Sequence, residues 1–349
     1  MIKKRAKLLN KLLLFIVSIV FIVVFVRQFG SLSRAAETLS RGSWVFLVAI
    51  LLIQIVGIIN KGSFYSSLYE FFGVNDSIKR LTYLAVASNF LNLAAPAGGL
   101  TGITLFVSEA ERQGMNKSRS IFVNFFAYFL IYAVFILALL FGLFYLFFNE
   151  QLYTYQLVTA GILFGAIIIM IVLFLIALRG AAKVKKLLSV VAVVINYFAR
   201  MLQAKKSLLS DGQIHVISTE ISDCLKTIQD KFSRLKMPVL HVLLIETIDV
   251  LTLFYVFLAF RYSVNLGVII SVYAICILFT LVSITPGGVG VVEATMILVL
   301  TNLQVPVELA TIAVITYRFF TFWIPFILGY FAFRKLQGEK IIKLENGVG

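Results

Sequence analysis

Glu246 and Asp249 stand three residues apart in an otherwise apolar stretch, and Arg318 stands inside another. Side chains three apart share one face of a helix, so this spacing aims two carboxylates the same way. A charge within hydrocarbon costs on the order of 3 kcal/mol even on a lenient insertion scale, so such groups either serve function or lock two helices. Arg318 lies about nine residues, or about 13 Å, into its apolar run, near the middle of a roughly 30 Å core. That depth lets it meet Asp249 or Glu246. The planar fork of an arginine suits a phosphate, so one reading is a headgroup site. The other is a structural ion pair.

Two further clusters break the apolar pattern. Ser283 to Ala294 holds Pro286, Gly287, Gly288 and Gly290, with Glu293 just behind them. Leu93 to Gly102 holds Pro96, Gly98, Gly99 and Gly102, with Glu109 and Arg112 further on. Proline removes a backbone donor and glycine permits turns that no helix interior favours. Broken backbone at membrane depth is tolerated only where protein buries it or water reaches it. Glu293 falls in the first turn of a half-helix, where a carboxylate suits the positive N-terminus. The same amide groups, if uncapped, suit a phosphate oxygen. Glu109 and Arg112 read as interfacial charges or headgroup contacts. Asn89, Asn92, Thr101 and Thr104 add polar groups near the first turn, and Asn124 and Tyr128 read as packing.

The elements that hold these groups are membrane helices. Of 349 residues 61% are hydrophobic and 13% charged, where soluble domains carry about a quarter charged. The net charge of +15 fits basic cytoplasmic loops facing anionic lipid, and no basic, aromatic-interleaved domain points to nucleic acid. Cys224 and Cys276 lack metal-ligand spacing, and two histidines, His215 and His241, make no His-rich site. No nucleophile elbow, phosphate-binding loop of the nucleotide type or metal cluster is present, so neither an enzyme nor a cofactor is expected.

In order along the chain, a basic start precedes an apolar run over 8–26, long enough to span. Residues 44–59 return, and Lys61, Lys79 and Arg80 mark the following loop as cytoplasmic. Segments 81–95 and 100–110 are each too short to span, so 81–110 reads as a re-entrant hairpin with Pro96 to Gly99 at its tip. Residues 120–148 and 155–178 span. The stretch 179–237, with eleven Lys/Arg against four Asp/Glu, reads as a cytoplasmic pair of amphipathic helices separated at Asp211-Gly212. Residues 239–260 span, 266–285 and 289–300 form a second hairpin, and 309–333 spans last. The plan of span, span, hairpin, span occurs twice, in repeats over 1–150 and 151–349 of opposite orientation, with both termini cytoplasmic. The expected fold is an all-α polytopic membrane protein of about six full spans and two hairpins. Eight plain spans are the alternative.

The runs Pro-Ala-Gly-Gly-Leu-Thr-Gly at 96–102 and Thr-Pro-Gly-Gly-Val-Gly-Val-Val-Glu at 285–293 resemble the signature turns of the flippase-like membrane region of lysylphosphatidylglycerol synthases and multiple peptide resistance factors. The resemblance covers nearly the whole chain. It implies movement of an anionic, aminoacylated or polyprenyl-phosphate lipid between the leaflets of the cytoplasmic membrane. Bifunctional members add a cytosolic synthase domain, whereas here only Arg334 to Gly349 follow the last span, so no lysyltransferase chemistry is expected. An ion-coupled secondary transporter of a small solute and a membrane partner or subunit of a lipid-modifying transferase stand as alternatives, and homo-oligomerisation stays open.

Overall fold

Apolar runs of this length can satisfy their backbone groups in lipid only by folding as helices. A computed structural model describes residues 39–94, 101–150, 152–201, 210–283 and 285–345, all helix and turn. The expected span over 8–26 and the tip residues Pro96, Gly98 and Gly99 lie outside the described residues.

Helix α1 (Trp44–Phe71) leads to a hairpin of α2 (Ile78–Ala94) and α3 (Ile103–Arg112), and then to the long α4 (Lys117–Phe148). After α5 (Thr154–Ala177) come the amphipathic pair α6 (Ala181–Met201) and α7 (Asp211–Asp230). Helix α8 (Lys236–Ala259) precedes a second hairpin of α9 (Leu266–Val282) and α10 (Val291–Asn302). Helix α11 (Val307–Arg318) passes through a π-helical turn, Phe319–Trp323, into α12 (Ile324–Glu345). Five of these stretches are long and apolar enough to cross a membrane: Trp44–Phe71, Lys117–Phe148, Gln156–Ala177, Phe232–Ala259 and Val307–Gly338.

Three boundaries differ from the sequence reading. Helix α1 does not end near Ile59 but runs on to Phe71, so Lys61 is inside a helix and not in a loop. The polar run Asn60 to Ser63 reads as a boundary only if its side chains face water. In fact Asn60 is buried and hydrogen-bonded to α8. Asp211-Gly212 opens α7 behind the cap Ser210, whose hydroxyl accepts from the Gln213 amide. The last helix continues well past Phe333.

Packing is reciprocal. Helix α12 lies against α2, the first arm of the first hairpin, and α4 lies against α9, the first arm of the second. Each crossing is close because a glycine removes the obstructing side chain. A Cβ on Gly329 would come 2.5 Å from the Phe90 Cβ and 2.7 Å from the Val86 carbonyl. One on Gly142 would come 3.1 Å from Ser271 Cα and Ala274 Cβ. The Ser271 hydroxyl also donates to the Gly142 carbonyl at 3.1 Å. The apolar core is accordingly double. One cluster surrounds the first hairpin and includes Phe326 and Phe333 of α12. The other surrounds the second and includes Phe135 and Leu139 of α4.

Candidate functional site

Helices α1 and α8 cross antiparallel at the centre, with Gln54 opposite Thr252, Gly57 opposite Ile248 and Asn60 opposite His241. Gln54 Nε2 donates to Thr252 Oγ1 at 2.8 Å, and Asn60 Nδ2 donates to the His241 carbonyl at 2.8 Å. Asn60 Oδ1, an acceptor, lies 2.6 Å from His241 Nδ1. Buried polar groups matched this way fix the register of the two helices. That register turns Lys61 of α1 and Glu246 and Asp249 of α8 into one cavity of about 220 Å3.

The wall of this cavity is polar on several sides. Helix α2 contributes Ser88, Asn89 and Asn92, α4 contributes Tyr128 and Tyr132, and α9 contributes Tyr273. The Tyr273 hydroxyl donates to Glu246 Oε2 at 2.6 Å. Tyr65 of α1 completes the wall, its ring stacked on Phe106 at 3.9 Å between centroids. The cavity therefore draws on both arms of the sequence's logic, the charged span and the first hairpin, and adds Lys61. Lys61 is not legible as a site residue in the sequence, because a lysine two residues past an apolar run signals a helix end by the ordinary rule for cytoplasmic loops.

Arg318 is elsewhere. Its Nε donates to Glu293 Oε1 at 2.6 Å and its Nη2 to the Gly287 carbonyl at 2.8 Å. Its guanidinium carbon sits 4.5 Å from the centre of the Phe322 ring. The expected pairing of Arg318 with Asp249 or Glu246 is not formed, because the turn between α9 and α10 presents a nearer carboxylate and carbonyl. Glu293 Oε2 also accepts from the Gly290 amide at 2.6 Å, so the start of α10 is capped from within and not left for a phosphate. Gly287, Gly288 and Gly290 all have positive φ, at 60°, 70° and 89°. A Cβ on Gly287 would also run into Phe322. Pro286 opens the short helical turn that carries Gly287 and Gly288.

The first turn is closed by different chemistry. Gly102 caps α3 with φ of −66°, so positive φ is not its reason. Its amide donates to Asn92 Oδ1 at 2.7 Å, and its carbonyl accepts from the Ser88 hydroxyl at 2.9 Å. Asn92 Nδ2 in turn donates to the Tyr128 hydroxyl at 3.0 Å. Tyr128 stands eleven residues after Lys117, where α4 begins, and Arg318 stands eleven after Val307, where α11 begins. Each hairpin is thus held by the helix that follows it, the first through a neutral amide and hydroxyl, the second through an ion pair.

Glu109 is not an exposed interfacial charge. It is 7% exposed and pairs with Arg80 at 3.0 Å and with Arg112. This clamp ties the open ends of α2 and α3, opposite the turn, so Glu109 and Glu293 are not counterparts. Cys224 and Cys276 are both buried. Outside the spans, burial pushes the Cys224 thiol up to about 11, leaving it protonated and inert.

The described geometry agrees with kinship. The model of the lysylphosphatidylglycerol synthase transmembrane region matches residues 11–329. The chain belongs to that family. Among its relatives, a UPF0104 membrane protein of Methanocaldococcus jannaschii is 22% identical over 341 residues, 96% of this chain and 97% of the relative. A UPF0104 membrane protein of Pyrococcus horikoshii is 20% identical over 327 residues, 92% and 96% respectively. These family members are named as membrane proteins, which agrees with the apolar spans.

Proposed function

We propose that the protein is a lipid translocase of the cytoplasmic membrane, moving a phosphate-bearing lipid headgroup between leaflets. The observation that carries this is the cavity holding one cation and two carboxylates among apolar helices. At about 220 Å3 it is smaller than the roughly 300–1,000 Å3 of sites that enclose a whole small ligand. A headgroup fits such a space while its acyl chains stay in the bilayer. Lys61 is the counter-charge for the phosphate, since desolvating that anion without one is prohibitive. Asn89, Asn92 and the tyrosine hydroxyls supply hydrogen bonds to headgroup oxygens. Arg318, Glu293, Glu109 and Arg112 hold the hairpins rather than the lipid. An anionic phospholipid, an aminoacylated one or a polyprenyl phosphate shares the phosphate chemistry.

The reading treats residues 1–150 and 151–349 as inverted repeats. Two features support this: α1 and α8 cross antiparallel, and each hairpin packs on the long helix of the other half. The reading puts both termini and the insert 179–237 on the cytoplasmic side, which their basic residues favour. Transport by proteoliposomes tests the function, using phosphatidylglycerol labelled on an acyl chain and an impermeant quencher. Wild type exposes inner-leaflet label, and Lys61→Gln slows this about tenfold or more, as expected for loss of a charge contact worth about 1.4 kcal/mol. Equal rates for the variant and wild type would sink the reading. The carboxylate pair favours a second one, coupled transport of a small solute, which would show solute flux with no lipid movement.

A further inference from the structure

We propose that the headgroup cavity is a proton-coupled site, taking up one proton on the Glu246–Asp249 carboxylate pair for each phosphodiester bound at Lys61. The inference rests on the translocase reading and deepens it. It starts from a count of charges. Among the described lining residues Lys61 is the only cation, and Glu246 and Asp249 are the only carboxylates. The other ionisable groups facing them are hydroxyls and one thiol: Tyr65 from α1, Tyr128 and Tyr132 from α4, Tyr273 and Cys276 from α9, and Tyr317 from α11. Arg318 of α11 is bound to Glu293 and the Gly287 carbonyl and is not free to compensate. His241 on α8 itself is bound to Asn60.

A cavity between apolar helices must stay near neutral, because an uncompensated charge there is costly. One lysine can balance one carboxylate. The second carboxyl group then carries a proton, and its oxygen accepts from the Tyr273 hydroxyl in either state. When a phosphodiester enters and takes Lys61, the carboxylate that lysine balanced loses its partner. Neutrality returns only if that carboxylate binds a proton from water. No covalent bond forms or breaks. One proton enters with one negative charge, so transport is electroneutral. Geometry permits the exchange: no ion pair of salt-bridge length locks Lys61 to Glu246 or Asp249 among the described residues. A permanent pair would have excluded the phosphate.

The test is binding of dioctanoyl phosphatidylglycerol to the detergent-solubilised full chain, measured by calorimetry at several pH values and in buffers of different ionisation heat. Affinity rises about tenfold for each unit that pH falls near neutrality, and about one proton is taken up per lipid. The same lipid bearing no phosphate, dioctanoylglycerol, binds without proton uptake. In Glu246→Gln with Asp249→Asn, near-isosteric changes checked by thermal unfolding, the lipid that still binds brings no proton with it and its affinity no longer follows pH; proton uptake that persists in this variant overturns the assignment to the pair. Binding of the phosphatidylglycerol with no proton uptake overturns the coupling and leaves the translocase reading standing. No binding at any pH overturns both.

Discussion

Arg318 and Tyr128 each stand eleven residues into the helix that follows a hairpin, yet grip their hairpins with different force. The arginine makes a charge-assisted bond to Glu293, a second bond to the Gly287 carbonyl and a ring contact with Phe322. Tyr128 makes a neutral bond to Asn92. Breaking a partly buried ion pair leaves one charge uncompensated. Arg318→Gln should therefore cost about 2–4 kcal/mol, reduced from the fully buried case because Glu293 is 26% exposed. Adding Glu293→Gln to Arg318→Gln should recover part of that loss. Thermal unfolding in detergent of the two single variants and the double checks this; a double no more stable than Arg318→Gln removes the pair from the account. At this scale the sequence showed Glu246 and Asp249 by their spacing, and Glu293 by its place after the glycines. It hid Lys61, whose neighbours Asn60, Gly62 and Ser63 look like a loop but are consumed by packing: Asn60 on His241 and Gly62 against Thr82.

Elements were easier to read than contacts. Short apolar arms joined by proline and glycine announced both hairpins, because a helix broken at that depth is tolerated only where protein buries the break or water reaches it. The π turn after Arg318 was not legible, since Phe319 to Trp323 contains neither proline nor glycine. Such a turn inserts an extra residue into the helix and often marks a functional site. Here it lies beside the Arg318 contact with Phe322. The crossing glycines carry an element-scale prediction. Gly142→Leu must push α4 off α9, and Gly329→Leu must push α12 off α2, each by overpacking of about 1–3 kcal/mol. Both variants should lower the unfolding midpoint and slow lipid movement, because each separates a hairpin from the long helix packed on it. The measurement is unfolding midpoint alongside transport rate, with Gly165→Leu as control, a position where a Cβ meets nothing within 4 Å. Control and crossing variants behaving alike would show that the close approach does not matter.

Over the whole molecule, the charged cavity sits where the α1–α8 crossing meets α2, α4 and α9. Composition and hydropathy sufficed for the membrane class, because 61% hydrophobic residues leave no other solvent for the chain. They did not suffice for the location of the site, which depends on how α1 and α8 are rotated against each other. Depth along the span suggests a pairing of Arg318 with Asp249, but depth says nothing about rotation. The central claim is that a lipid headgroup occupies this cavity. Phosphatidylglycerol carrying a photoreactive diazirine on its headgroup tests it most directly, with cross-linked peptides mapped by mass spectrometry in native-like bilayers. The account predicts adducts on cavity residues from several helices, Tyr65, Asn89 and Tyr132 among them, and their loss in Lys61→Gln. Adducts confined to the lipid-facing side chains of α4 and α5, unchanged by Lys61→Gln, would contradict it.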